Sequence, residues 1–150
     1  MPDIVYLDIC CFKRPFDDVT SERVRREAEA VAAVLDAAAA GRLLLVHSPA
    51  HDIENGRNPR EDRRLATLLW LQTALIVVPP SAQASERARL LANAGFAPLD
   101  ALHLAFAEQS SAKWFLTTDD RPLKRAASRE LQVRVLRPDE FPMPAEGDEE

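Results

Sequence analysis

Apolar residues recur along this chain in two rhythms. Short apolar runs at 4–7, 43–46, 75–78, 114–117 and 133–136 are rich in β-branched, aromatic or leucine side chains. Such runs predict strands, the first three buried on both faces; Arg134 places the fifth at an edge. Between them the apolar positions step by three and four. Over 20–40, Val24, Ala28, Val31, Leu35 and Ala38 share one helical face, with Thr20 or Ser21 to cap the start and Gly41 to end it. Ser48-Pro49 opens a helix that stops at Asn55-Gly56. Asn58-Pro59-Arg60-Glu61 opens another, with Leu65, Leu68 and Leu69 expected on its inner face. A weaker helix spans 82–93, a stronger one 99–109 with Leu102, Ala105 and Phe106 for the core, and a short basic one 120–128. The segment 13–18 reads as a turn. Strands alternating with helices imply a parallel sheet covered on both faces by right-handed crossovers. The expected fold is one three-layer α/β domain.

Composition changes this picture little. The chain has 150 residues, 47% hydrophobic and 29% charged, enough for a folded core and unlike a disordered segment. No apolar run approaches a membrane span, and the N-terminus has no basic region followed by an apolar one, so a cytoplasmic location is the expectation. Cys10 and Cys11 are adjacent, a poor spacing for a disulfide or a metal, and read as packing residues. The formal charge of −5 is unevenly spread. Six of the 24 acids lie in 139–150, which holds no base, leaving 18 acids against 19 bases before it. That acidic end reads as a solvated tail, which places the domain at 1–138. An RNA partner is neither indicated nor excluded by charge.

The chemistry lies in the acids. Asp8 ends the first strand and Asp119 ends the fourth; Asp100 opens the 99–109 helix, and Glu54 sits on the helix after the second strand. Open α/β sheets hold ligands at the carboxyl ends of their strands. If the strands of Asp8 and Asp119 are neighbours, all four acids converge on one edge. Gathered carboxylates repel, and a hard divalent cation relieves the conflict. Such a cation can activate water and stabilise charge at a phosphate. Asp119 is read as a metal ligand with Asp120 as the cap of the following helix. His103, one turn after Asp100, reads as a satisfied core residue, and His47 and His51 are weaker candidates still. Basic residues just beyond the strand ends, Lys13, Arg14, Arg57, Arg60, Arg121 and Lys124, are candidates for holding an RNA backbone.

The order of these motifs is more specific than any one of them. Tyr6-Leu7-Asp8 through Arg14-Pro15-Phe16-Asp17-Asp18, Pro98-Leu99-Asp100-Ala101-Leu102-His103-Leu104-Ala105 and Phe115-Leu116-Thr117-Thr118-Asp119-Asp120 resemble the PIN-domain family. Ser48 through Glu54 and Asn58-Pro59 resemble its second acidic segment. The resemblance implies a five-stranded parallel sheet of order 3-2-1-4-5 and a Mg²⁺- or Mn²⁺-dependent ribonuclease. It maps the catalytic acids to Asp8, Glu54, Asp100 and Asp119; of these Asp8, Asp100 and Asp119, best placed at strand and helix ends, are expected on the metal. It also implies a VapC-type toxin, homodimeric and held inactive by an antitoxin. One departure stands out. The family usually places Thr or Ser after the first Asp, where this chain has Ile9, a side chain without a hydrogen-bonding group. A non-catalytic PIN-like domain binding RNA or protein is therefore the alternative. An aspartyl-nucleophile phosphatase would want a second Asp at position 10, which is Cys10.

Overall fold

In the computed structural model, residues 1–127 and 130–145 are described. The strands are β1 (Asp3–Leu7), β2 (Leu43–His47), β3 (Ile76–Val77), β4 (Trp114–Leu116) and β5 (Arg134–Leu136). The helices are α1 (Ile9–Lys13), α2 (Glu22–Ala39), α3 (Pro49–Gly56), α4 (Glu61–Gln72), α5 (Ala82–Asn93), α6 (Pro98–Gln109) and α7 (Asp120–Ala126). Short 3₁₀ turns cover Arg14–Phe16 and Pro138–Glu140. All strand pairs are parallel, in the order β3-β2-β1-β4-β5. β1 is central, and Leu7 pairs in register with Leu116. That pairing brings Asp8 and the residues after β4 to one edge, as the sequence expects.

The continuous apolar runs divide by the strand's period of two. Val5 and Leu7 face a core with Val31, Val34 and Leu35 of α2 and Leu71 of α4. Tyr6 faces the opposite core, with Phe115 of β4, Leu91 of α5 and Leu104 and Phe106 of α6. Each fully buried side chain of this size contributes roughly 1.5–3 kcal/mol. Among the described residues no helix is long and apolar enough to cross a membrane.

Several expectations need correction. The 13–18 turn is largely helical: α1 continues directly from Asp8 and runs into the 3₁₀ turn at Arg14. The buried stripe of α2 includes Glu27 beside Val31 and Val34, while Val24 and Ala28 are half-buried. Ser21 caps that helix, and Gly41 leaves it at φ +82°. Run 75–78 is not buried on both faces. It lies at the sheet edge and alternates, with Leu75 74% and Val77 68% exposed while Ala74 and Val78 are buried. On α4, Leu65 and Leu69 are exposed and Leu68 is half-buried, whereas Thr67 and Leu71 point inward. The leucine spacing was compatible with either face, and packing chose the one carrying Leu71. The fold also continues past residue 138. Phe141 is buried against Trp114, ring centroids 5.4 Å apart and nearly perpendicular. Ser128 and 146–150, predicted as a helix end and part of the tail, lie outside the described residues.

Candidate active site

Asp8 is where β1 becomes α1. It caps that helix: its Oδ1 accepts from the Ile9 backbone N–H at 2.9 Å, and its Oδ2 accepts from the Thr117 hydroxyl at 2.8 Å. Thr117 in turn accepts from the Asp119 N–H at 3.1 Å, so one hydroxyl joins the first and last acids. Cys10 and Cys11 help to seat the strand ends. The Cys10 sulfur accepts from Thr118 N–H, and the Cys11 thiol donates to the Leu116 carbonyl at 3.2 Å.

The charges of neighbouring acids reach Asp8 and Asp100. Burial pushes the Asp8 carboxyl above its usual range, and the Glu54 charge adds to this while His103 and Thr117 oppose it. The Asp100 carboxyl, in the first turn of α6, is pushed up to about 6 by partial burial and then by the charges of Asp8, Asp119 and Glu54. Asp8, Glu54 and His103 each offer an atom within 4.8 Å of the others, a group able to surround a cation. Asp119 and Asp120 exchange their expected roles in part. Asp119 caps α7, its Oδ1 accepting from Arg121 N–H at 3.0 Å. Asp120 instead pairs with Arg23 of α2 at 2.8 Å. Asp119 nonetheless stays within electrostatic reach of Asp100.

The sequence matches the family model described as PIN domain over residues 5–128. The chain belongs to the PIN domain family. Its fold is similar to that of VapBC2 from Rickettsia felis bound to a promoter DNA fragment, with 13% identity, TM-score 0.52, and coverage of 89% of this chain and 98% of that one. It is also similar to FitAcB from Neisseria gonorrhoeae, with 17% identity, TM-score 0.56, and coverage of 89% and 97%. No curated protein matches significantly.

Two parts of this PIN domain were hidden from sequence reasoning. The first is a set of buried polar residues behind the acids. His103, fully buried, lies 2.8 Å from Glu54 Oε1 and 3.9 Å from Asp8 Oδ1. Its other nitrogen meets the Tyr6 hydroxyl at 2.6 Å, and Tyr6 meets Ser48 Oγ at 2.7 Å. Tyr6 is stacked between the rings of His51 and Phe115. Burial raises the Tyr6 phenol and holds His51 well below the ordinary histidine range. His47 instead contacts Asp52 at 2.7 Å. The spacing of three from Asp100 to His103 was the available signal, since it puts both on one helical face.

The second is Thr117. It gives Asp8 the side-chain hydrogen bond that Ile9 cannot, from across the sheet edge rather than from the next residue. Ile9 is buried, and it starts α1 directly after Asp8.

The candidate cations separate clearly. Arg121 and Lys124 line an open cleft of about 520 Å³ together with Asp100, and Arg125 joins them with its guanidinium packed over Gly95. Lys13 is half-buried, and Arg57 and Arg60 are exposed at the end of α3 and before α4. Arg14 is different. It is turned inward to Glu27 at 3.0 Å and Asp17 at 3.1 Å, which makes it a poor phosphate contact.

Asp100 gives a stability prediction. A raised carboxyl means that the folded chain holds that proton more tightly than the unfolded chain, whose value is 3.8. Without metal, this group's destabilising effect is absent below about pH 4 and complete once pH passes about 6. A buried group shifted this far would destabilise by about 3 kcal/mol, but solvent screens half-buried Asp100 and reduces this to about 1 kcal/mol. Asp100→Asn should therefore match wild type in urea melts near pH 4 and exceed it by about 1 kcal/mol at pH 7.5. A difference that does not change with pH would refute this.

Proposed function

We propose that this protein is a Mg²⁺- or Mn²⁺-dependent endoribonuclease acting where Asp8, Glu54, Asp100 and Asp119 meet, and that it is the toxin half of a toxin–antitoxin pair. The observation carrying this reading is that Asp8 and Glu54 offer oxygens within 4.8 Å of each other, and that burial first and then the charges of Asp8, Asp119 and Glu54 lift the Asp100 carboxyl beside them to about 6. The donor set fits a hard cation: several carboxylates, partly withdrawn from water and mutually repelling. Asp8, Asp100 and Asp119 would hold it. When bound, such an ion polarises a phosphate and makes water a better nucleophile. The chain itself fixes Asp8 through Ile9 N–H and Thr117 and leaves Glu54, outside the metal set, to take the proton from the attacking water. The rival view of a domain that binds without turnover rests on Ile9, and the Thr117 hydrogen bond to Asp8 weighs against it.

Lys13, Arg57, Arg60, Arg121 and Lys124 would grip the RNA backbone, with Arg121 and Lys124 nearest the acids. Similarity to the VapBC2 fold supports an antitoxin partner, and the exposed Ile53, Leu65 and Leu69 offer apolar surface for it or for a second copy in a homodimer.

The test is RNA cleavage with Mg²⁺ or Mn²⁺, abolished by chelation, together with RNA binding measured across salt. Affinity should fall steeply from low to moderate salt, and Arg121→Ala with Lys124→Ala should shallow that slope by about two units on a log–log plot. A protein that neither binds Mn²⁺ nor cleaves RNA would end this reading. Salt-independent binding would remove these cations from it.

A further inference from the structure

The polar residues behind the acids form one directed chain, and both of its ends are fixed. At one end, Ser48 backbone N–H donates to His51 Nδ1 at 3.1 Å, so that nitrogen carries no proton. His51 Nε2 lies 2.7 Å from the Leu7 carbonyl, which only accepts, so Nε2 carries it. His51 Nδ1 also lies 3.5 Å from Ser48 Oγ, but the Tyr6 oxygen is far nearer at 2.7 Å and takes the Ser48 hydroxyl proton. At the other end, His103 Nε2 stands 2.8 Å from Glu54 Oε1. A carboxylate also only accepts, so His103 must donate there. In the neutral ring its Nδ1, 2.6 Å from Tyr6, is then the acceptor of the phenol proton. The polarity runs from Ser48 to Tyr6 to His103 to Glu54 without conflict.

We propose that His103 is a positioning residue for Glu54, fixed as the Nε2–H tautomer by Tyr6, and that it does not ligate the metal although it lies among the candidate ligand atoms. This rests on the metal-site reading above, but its first consequence does not depend on metal. A donating Nε2 has no lone pair for an ion. The site is then made of oxygens only, which suits Mg²⁺ or Mn²⁺, whereas an imidazole ligand would favour zinc or nickel. The hydrogen bond also orients one Glu54 oxygen and leaves the other open. Partners of this kind behind a metal site typically cost about 10- to 100-fold in affinity or activity when removed; since Glu54 takes a proton rather than the ion, the cost here falls on activity.

Long-range ¹H–¹⁵N spectra of the histidine rings test the assignment directly. In the metal-free protein, His103 should show a bare Nδ1 and a protonated Nε2, and the Nε2 proton should persist when Mg²⁺ is added. A protonated Nδ1, or loss of the Nε2 proton on adding Mg²⁺, would overturn the proposal. RNA cleavage and calorimetry with Mn²⁺ supply the second arm. His103→Ala should lower cleavage about tenfold or more while leaving Mn²⁺ affinity near that of wild type, and His103→Gln, whose amide N–H can replace Nε2–H, should recover most of the activity. A matching loss of Mn²⁺ affinity in both variants would mean that the imidazole itself binds the ion. If Mg²⁺ and Mn²⁺ fail to bind while the tautomer is as stated, it is the metal-site reading that fails.

Discussion

Asp8→Asn should lower Mn²⁺ affinity at least tenfold and RNA cleavage about 10³-fold while leaving the fold intact. Removing one group aimed at developing charge typically costs about 10²–10³ in rate, and Asp8 would also take a metal contact with it. The fold survives because Asn is as good an N-cap as Asp. Its oxygen can keep the Ile9 N–H, and its amide can donate to Thr117, whose hydroxyl reorients to accept. One buried charge also leaves a crowded site. Asp100 then loses the strongest of the charges that raise its carboxyl, so the metal-free variant should melt at or above wild type. Calorimetry and cleavage assays on the two proteins decide the matter. Equal Mn²⁺ affinities would take Asp8 out of the site.

The largest effect on stability is expected at a residue that sequence reasoning assigned to RNA. Glu27 is 1% exposed on the inner face of α2, and Arg14 and Arg23 lie 3.0 and 3.4 Å from its oxygens. Arg23 is shared with Asp120 and is far more exposed, so Arg14 is the principal counter-charge. Arg14→Ala would leave this buried carboxylate with only the exposed Arg23 at 3.4 Å, and breaking a buried pair costs about 3–5 kcal/mol. For a domain of this size that is a fall of roughly 10 °C in melting temperature. Replacing the pair by Arg14→Met with Glu27→Leu should recover most of the loss, since no charge is then left without a partner. At a temperature where both are folded, Arg14→Ala should bind RNA like wild type. A variant that melts with wild type but binds RNA weakly would restore the original assignment.

Arg14 shows where reading the sequence stops. Its partner Glu27 sits on another helix, and nothing local distinguishes a paired arginine from a free one. Strand positions and strand-end acids were legible because each depends on a short apolar run and the residue after it. The strand order and the matching of the acids came from the resemblance to PIN domains rather than from periodicity. The cap of α7 was assigned to Asp120 because adjacent acids before a helix compete for it, and the choice fell to Arg23, far away in sequence, which draws Asp120 off and leaves the cap to Asp119. His103 was set aside as a satisfied histidine, and it is one. What satisfies it, Tyr6 and Glu54, is visible only once β1, α3 and α6 are brought together. The leucines of α4 misled for a related reason, since periodicity finds an apolar stripe but does not say whether this chain covers it.

The two outer strands carry a consequence for how the protein can meet other chains. An open sheet edge is a template on which a stray strand can add, the usual start of strand-to-strand aggregation. Here β3 contributes two residues before Pro79 and Pro80, which have no N–H to offer, and Val78 N–H is already bonded to His47 O. At the other side β5 is three residues long, begins with exposed Arg134 and is followed by Pro138. Neither margin gives an incoming strand a ladder of useful length. Association with a second chain is thereby steered away from sheet extension and towards side chains on the helices, where recognition depends on shape and sequence rather than on backbone alone.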